Sequence, residues 1–202
     1  ISLRITIRKV IIMIKTIYFI THPNVQVDPE IPPEQWSLSQ EGYQRLDQLS
    51  QESFWLEVQH IFTSYDNRGK EMGTYLAQKQ NLPLQEYPNL HEYERRENPF
   101  LSLEDLRIAM KMFFRRPKES IFGWERALDA QKRILNALQQ LIKEYPDLDT
   151  IAICSHGIIG SLLRSELMGH PIEESLCQEQ IGGYLMIDWE HQSVVSEEWH
   201  YF

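Results

Sequence analysis

A chain of 202 residues with 42% hydrophobic content is long enough to bury one well-developed core and too short to favour two ordinary domains. The formal net charge of -9 argues against a nucleic-acid-binding protein, because such proteins contact the phosphate backbone through clusters of Lys and Arg. Cys154 and Cys177 are too few for a disulfide framework, so the composition predicts reduced thiols, as in the cytoplasm.

The first residues of the chain lack the pattern of a folded domain. Residues 1–12 mix apolar residues with basic ones, and the first run typical of a core strand begins only at Thr16. We therefore expect residues 1–12 to be an N-terminal extension and residues 13–202 to form one domain. No run reaches the roughly 18 apolar residues of a membrane span, so no membrane contact is predicted.

The first half of the chain alternates short apolar runs with amphipathic segments. Runs rich in β-branched and aromatic residues predict buried strands at residues 16–21, 60–64 and 82–87. Apolar residues at helical spacing predict a helix that begins after Ser39, which is placed as an N-cap, and a second helix over residues 67–80.

The second half contains the most regular segments. Apolar residues at helical spacing predict helices over residues 103–114 and 124–145. Residues 150–155 (TIAICS) have the composition of a buried strand and lead without a spacer into a further helix. Residues 184–189 and 194–199 predict a terminal hairpin.

This alternation decides the predicted fold class. Strands that alternate with helices predict an α/β fold, in which a mostly parallel central sheet is covered by helices on both faces as a three-layer sandwich. In such sheets, ligands bind beyond the carboxyl ends of the strands. The candidates for chemistry are therefore the residues that follow those ends, which are His22, Ser64, Arg68 and His156. A charged loop at residues 90–96 adds acids beside positive charge.

Several short motifs lie in the order in which a known family carries them. They are residues 17–23 (IYFITHP), 36–42 (WSLSQEG), 63–68 (TSYDNR), 90–92 (LHE) and 154–157 (CSHG). Together they resemble the phosphoglycerate-mutase-like histidine phosphatase superfamily, and the resemblance spans about residues 16–187. Residues 113–125 (FFRRPKESIFGWE) are similar to the subgroup of that superfamily whose first motif reads Thr-His-Pro.

The resemblance implies a chemistry as well as a fold. It implies a metal-independent phosphatase without a cofactor, which hydrolyses a phosphomonoester through a phosphohistidine intermediate. The matching motifs imply the catalytic residues, with His22 as nucleophile, Arg68 as phosphate clamp, His156 as hydrogen-bond donor to the transferred group and Glu92 as general acid. The other expected phosphate contacts are Thr21, Ser64, Arg95, Arg96 and Gly157.

The resemblance also gives expectations about the surroundings of the site. Residues 90–125 are expected to form a cap over it. The expected partner is a small phosphorylated substrate in the cytoplasm, rather than a nucleic acid or a membrane, and a homodimer is left open.

The first motif departs from the family pattern at one position. The usual motif is Arg-His-Gly, whereas residues 21–23 of this chain are Thr-His-Pro, so the phosphate-binding arginine before the histidine is absent. Two interpretations follow. Arg68 with Arg95 or Arg96 replaces the missing cation, or the chain binds phosphate compounds without turning them over.

Two further activities stay open. A phosphoglycerate-type mutase would use the same motifs, but it needs a pocket that retains the phosphoenzyme and excludes water. A metal-dependent hydrolase could use His22, His156 and Glu92 as ligands, although the chain lacks a compact His-x-x-x-His pair.

Overall fold

A central sheet of seven strands organises the residues that the computed structural model describes, which are 14–95 and 101–202. The strands are β1 (Thr16–Thr21), β2 (His60–Thr63), β3 (Leu84–Glu86), β4 (Thr150–Ser155), β5 (Gly183–Asp188), β6 (Ser193–Val194) and β7 (His200–Tyr201). Their spatial order is β3-β2-β4-β1-β5-β6, and β7 also pairs with β5. Strands β1 to β4 run parallel, and β5 pairs antiparallel with β1, β6 and β7.

Helices cover both faces of this sheet. They are α1 (Gln40–Leu49), α2 (Asn67–Gln80), α3 (Leu103–Arg115), α4 (Ala127–Glu144) and α5 (Gly157–Leu167). Successive side chains of a strand point to opposite faces, so Ile17 and Phe19 of β1 pack in a core with α3, α4 and α5. Tyr18 and Ile20 pack in a second core with α1 and α2. The predicted three-layer α/β architecture is confirmed.

The register between β1 and β4 brings two distant histidines together. Thr21 pairs with Ser155 at the carboxyl ends of the two strands, and the His22 amide donates to the Ser155 carbonyl at 3.2 Å. The residue after each strand, His22 or His156, therefore emerges at the same edge. Because β2 lies on the other side of β4, its carboxyl end meets them there.

Local sequence explains where the helices begin. The Ser39 hydroxyl accepts a hydrogen bond from the Gly42 amide at 3.1 Å, which confirms the predicted N-cap of α1. Helix α4 starts at Ala127 rather than at Trp124. The backbone of the N-cap residue Arg126 is still extended, with φ of -67° and ψ of 140°, and before it Phe122 and Gly123 form a turn in left-handed conformations, with φ of 51° and 76°.

The C-terminal hairpin differs from the prediction. Its second strand is only the two residues of β6, and the chain then leaves the sheet before β7 returns to pair with β5. Ser196 interrupts the strand, because its hydroxyl bonds to the backbone amide and carbonyl of Glu198 at 3.3 and 3.2 Å.

None of the helices in the two described ranges is both long enough and apolar enough to cross a bilayer.

Candidate active site

Three of the predicted catalytic side chains meet at the carboxyl ends of β1, β2 and β4. The rings of His22 and His156 lie with their centroids 5.3 Å apart and their planes at 68°. The Nε of Arg68, which belongs to the first turn of α2, lies 3.0 Å from the Nε2 of His22. The structure thus brings residues from three separate parts of the chain to one place.

The surroundings of His22 fix which of its nitrogens carries the proton. The Nδ1 lies 2.9 Å from the Pro23 carbonyl oxygen, which can only accept, so Nδ1 donates. The Nε2 accepts from Arg68 and therefore presents its lone pair. Burial lowers the pKa of His22 well below its usual value, and the charges of Arg68 and His156 lower it further. At neutral pH His22 is an uncharged imidazole whose Nε2 electron pair accepts a hydrogen bond from Arg68.

Arg68 is a nearly buried cation that the surrounding backbone and side chains hold in place. Only 7% of the residue is exposed. Besides its bond to His22, the guanidinium donates to the Pro33 carbonyl oxygen, and it lies 3.8 Å from an oxygen of Asp66. A buried guanidinium remains charged, so Arg68 supplies a fixed positive charge beside His22.

His156 is fully buried immediately before α5 and contacts two oxygen atoms. Its Nε2 lies 2.9 Å from the Ser64 hydroxyl and 2.9 Å from Oδ2 of Asp66. Its Nδ1 has no hydrogen-bond partner among the residues that the structure describes. The structure therefore brings Ser64 to the site as a partner of His156.

Asp66 is a member of the site that the sequence reasoning missed. Its Oδ2 contacts His156 and also accepts from the Glu92 amide at 3.3 Å. Burial acts to raise the pKa of Asp66, but the hydrogen bond and charge of His156, together with Arg68, outweigh burial and hold that pKa well below its usual range. Asp66 is thus anionic at neutral pH. The available signal was an acid two residues before Arg68, in the short loop that follows β2.

The Glu92 carboxylate lies at the N-terminus of α5. Its two oxygens accept from the amides of Ile158 and Ile159 at 3.4 and 3.2 Å. These amides belong to the first turn of the helix, where an anion is favoured by the unpaired N–H groups and the helix dipole. Glu92 therefore acts as a side-chain cap of the helix that follows His156.

The loop that carries Glu92 is held by a residue pair that the sequence reasoning also missed. Arg133 of α4 donates to the carbonyl oxygens of Asn89 and His91 at 2.9 and 3.0 Å. The same guanidinium forms two bonds with the Glu125 carboxylate, at 2.9 and 2.8 Å. A bidentate pair of this kind fixes direction as well as position. Arg133 thus links α4 to the backbone next to Glu92.

The Thr21 hydroxyl is fully used inside the fold. It donates to the Gly183 carbonyl oxygen at 3.1 Å, and it accepts from the Gly183 amide at 3.0 Å and from the Gln178 side chain at 2.8 Å. One donor and two acceptor positions are all that a hydroxyl offers. A phosphate contact from Thr21 would require these bonds to rearrange, and it stays a prediction.

The remaining predicted phosphate contacts are Arg95, Gly157 and Arg96. The Arg95 guanidinium lies over the rings of Tyr93 and Trp124, with its carbon 4.9 and 5.2 Å from their centroids. Gly157 is the first residue of α5, at the edge of the site. Arg96 lies outside the described residues, as do residues 97–100 of the predicted cap.

A cavity of about 490 Å³ opens beside Arg68 and Asp66, the residues that contact His22 and His156. Its lining includes Pro33, Asp66, Arg68, Glu92, Tyr93 and Arg95. This volume is within the range of small-molecule sites and exceeds what a single phosphoryl group needs. The cavity therefore has room for the alcohol part of a phosphate ester.

The ligand set of a metal-dependent hydrolase is not assembled. In the described ranges, no group of three or more His, Cys, Asp or Glu side chains is placed to hold one metal ion. His22, His156 and Glu92 thus do not form such a group.

A family model and several solved structures match the chain. The model described as the histidine phosphatase superfamily (branch 1) matches residues 18–200. The YhfR structure of Bacillus stearothermophilus superposes with a TM-score of 0.74 at 20% sequence identity, covering 90% of this chain and 98% of that one. No curated protein matches the chain by sequence.

Two other similar structures bear the names of phosphatases. A mycobacterial glucosyl-3-phosphoglycerate phosphatase in complex with VO3 has a TM-score of 0.74 at 14% identity, covering 92% of this chain and 96% of its own. An Entamoeba histolytica phosphoserine phosphatase in complex with 3-phosphoglyceric acid has a TM-score of 0.71 at 15% identity, covering 93% and 97%. At these identities the structures show a shared fold.

Proposed function

This chain belongs to the histidine phosphatase superfamily (branch 1), and on that ground we propose that it is a metal-independent phosphatase acting on a phosphomonoester through a phosphohistidine on His22. One observation carries the proposal. The uncharged His22 imidazole presents its Nε2 lone pair 3.0 Å from the Arg68 guanidinium and beside the buried His156. A nucleophile, a fixed cation and a second imidazole at one edge of the sheet are groups that can carry out phosphoryl transfer.

The first step transfers the phosphoryl group to His22. The Nε2 lone pair attacks phosphorus while the bond from phosphorus to the ester oxygen breaks, and the bonding electrons leave with the alcohol. Arg68 turns from Nε2 to the phosphoryl oxygens, where its planar fork stabilises the charge that spreads over them. The Nδ1 hydrogen bond to Pro23 stabilises the positive charge that the ring gains.

The second step returns His22 to its starting state. During the first step, Glu92 is a carboxylic acid that gives its proton to the departing alcohol. In the second step, the carboxylate formed in this way removes a proton from the attacking water. The water oxygen bonds to phosphorus as the bond from phosphorus to Nε2 breaks. Inorganic phosphate leaves, and the imidazole is again neutral.

The similar structures support a small phosphorylated substrate. Their printed names include a glucosyl-3-phosphoglycerate phosphatase and a phosphoserine phosphatase. The cavity of about 490 Å³ beside Arg68 offers space for an alcohol of that general size.

Free thiols support a cytoplasmic location as part of this proposal. Cys154 is buried and Cys177 partly buried, and neither is in a disulfide. Burial raises the pKa of the Cys177 thiol to about 12, so it stays protonated and unreactive at neutral pH.

Trapping the phosphoenzyme tests the proposal directly. The protein is mixed with a radiolabelled aryl phosphate in excess chelator, quenched at alkaline pH, and the labelled peptide is identified by mass spectrometry. We expect phosphate release that the chelator does not change and an acid-labile label on His22. A label on another residue, or activity that the chelator removes, would contradict the proposal. Conversion of one phosphoglycerate into another without release of phosphate would instead support a mutase.

The glutamate assignment leads to a prediction that separates proton transfer from structure. In Glu92→Gln, the amide oxygen can still accept from the amides of α5, but the side chain can no longer donate a carboxylic proton. We expect kcat for an alkyl phosphate to fall by about 10²-fold, because an alkoxide is a poor leaving group. The first-turnover release of nitrophenol from a nitrophenyl phosphate should be nearly unchanged, since this leaving group needs no proton, whereas its later turnovers slow because water then lacks its base. Equal losses in the first turnover of the two esters, measured by rapid quench, would show that Glu92 acts only as a cap.

A non-catalytic phosphate-binding role is the second candidate. It is favoured by Asp66, whose carboxylate lies 2.9 Å from the His156 nitrogen that would contact the phosphoryl group. The expected signature is micromolar binding of a phosphate ester by a wild-type protein that releases no phosphate from it.

A further inference from the structure

The Asp66 carboxylate occupies a place where phosphoryl oxygens would be expected. Its Oδ2 lies 2.9 Å from the His156 Nε2, 3.8 Å from a guanidinium nitrogen of Arg68 and 3.3 Å from the Glu92 amide nitrogen that donates to it. Two of these groups are those that the proposed function assigns to the phosphoryl group. An oxygen of a bound phosphate cannot contact both of them while Oδ2 remains between them.

Two further donors of the site, both on Arg68, also bond within the protein. The Nε of Arg68 is bonded to the His22 Nε2, and its NH1 group donates to the Pro33 carbonyl oxygen. His156 has the Ser64 hydroxyl as a second neighbour at 2.9 Å. A phosphate ligand that binds to His156 and to the Arg68 Nε therefore has to replace internal contacts of these groups.

The Asp66 side chain also has an alternative hydrogen-bonding position nearby, at the N-terminus of α2. It is the N-cap residue of α2, with the extended backbone (φ -67°, ψ 142°) typical of that position, yet its side chain makes no capping hydrogen bond. Asp is among the preferred N-cap residues, because its carboxylate accepts from the amides of the first helical turn. A rotation of this side chain out of the site would therefore give it new partners on its own helix.

We propose that the Asp66 carboxylate occupies a phosphoryl-oxygen position between His156 and Arg68, and that a phosphate ligand binds by displacing it toward the N-terminus of α2. This inference rests on the proposed function for the location of the phosphoryl site. Asp66 is then a specificity-determining residue that weakens the binding of every dianionic phosphoryl group. Inorganic phosphate places nothing in the cavity to offset the displacement, whereas an ester can gain contacts there through its alcohol part.

Phosphate binding by charge-matched variants tests the displacement. The dissociation constant of inorganic phosphate is measured by titration calorimetry at neutral pH for the wild type, Asp66→Asn and Glu34→Gln. Glu34 is an exposed acid that lines the same cavity, so its variant makes the same charge change away from His156. We expect Asp66→Asn to bind phosphate about tenfold more tightly, because a neutral amide bonds less strongly to His156 and Arg68 than a carboxylate does. Glu34→Gln should gain much less.

Two outcomes would overturn the inference. One is a phosphate affinity in Asp66→Asn that equals or falls below that of the wild type, and the other is an equal gain in Glu34→Gln. Asp66→Ser provides a second test, because serine can cap α2 but carries no charge. Thermal unfolding of each variant checks that the fold is kept.

Repeating the titrations in a His22→Ala background separates this inference from the proposed function. Tighter phosphate binding by the double variant, with a wild type that hydrolyses no ester, would support the displacement and contradict the phosphatase. Hydrolysis that depends on His22, with no effect of Asp66→Asn on phosphate affinity, would support the phosphatase and overturn the displacement.

Discussion

The His22→Ala variant is expected to lose at least about 10³-fold in kcat for an aryl phosphate and to form no acid-labile phosphoenzyme. The reason is that Nε2 is the atom proposed to bond to phosphorus, and its lone pair is available because Nδ1 holds the proton against the Pro23 carbonyl. Steady-state phosphate release and quenched labelling with the same ester measure the two effects.

A second histidine gives the matched control. His170 is exposed and lies in the turn after α5, so His170→Ala makes the same chemical change away from the site. We expect its turnover and labelling to equal those of the wild type. Labelling that survives in His22→Ala would assign the nucleophile to another residue. An equal loss in both variants would trace the effect to folding.

Arg68→Ala is expected to lower kcat for the same ester by about 10³-fold, the size of effect seen when a preorganised charge-stabilising group is removed. The guanidinium is nearly buried and adjoins His22, so it is already at the reacting atoms before any ester binds. Arg68→Lys keeps the charge but loses the planar fork, and we expect it to recover part of the activity.

The pH profile of the same variants tests a second role of Arg68. Burial and the charge of Arg68 both lower the pKa of His22, and only the neutral imidazole is a nucleophile. In the wild type, the acid limb of kcat/KM should therefore lie below pH 6.5, the usual pKa of histidine. Loss of the cation raises the His22 pKa, so the limb of Arg68→Ala should move to higher pH, while that of Arg68→Lys stays close to the wild type. A limb that moves to lower pH would contradict this electrostatic account.

Much of the fold was predictable because its central strands are short runs of apolar residues. Residues 150–155 form an apolar run and are observed as the strand Thr150–Ser155, and residues 16–21 are likewise observed as Thr16–Thr21. Since the carboxyl ends of parallel strands meet at one edge of a sheet, these two runs predicted that His22 and His156 lie at the same edge, and the observed pairing of β1 with β4 makes them neighbours. The terminal hairpin was harder, because the hydrogen bonds of Ser196 that break its second strand are local and weak.

The parts of the site that the sequence did not predict depend on which distant segment a side chain contacts. Asp66 was visible beside Arg68, but its contact with His156 depends on how β2 and β4 are placed side by side. The Arg133 side chain spans from α4 to the loop before Glu92, and helical spacing alone does not give that direction. The Thr21 hydroxyl turned out to bond to β5, a choice that sequence order does not reveal.

The contact between the Glu92 carboxylate and the first turn of α5 links proton transfer to the anchoring of this helix. A carboxylate there is attracted by the helix N-terminus, and a neutral carboxylic acid is attracted much less. Every proton that Glu92 gains or gives up during turnover would therefore loosen or tighten the anchoring of the helix that begins directly after His156. Each change in the protonation of Glu92 would thus also change how firmly the His156 imidazole is held in place.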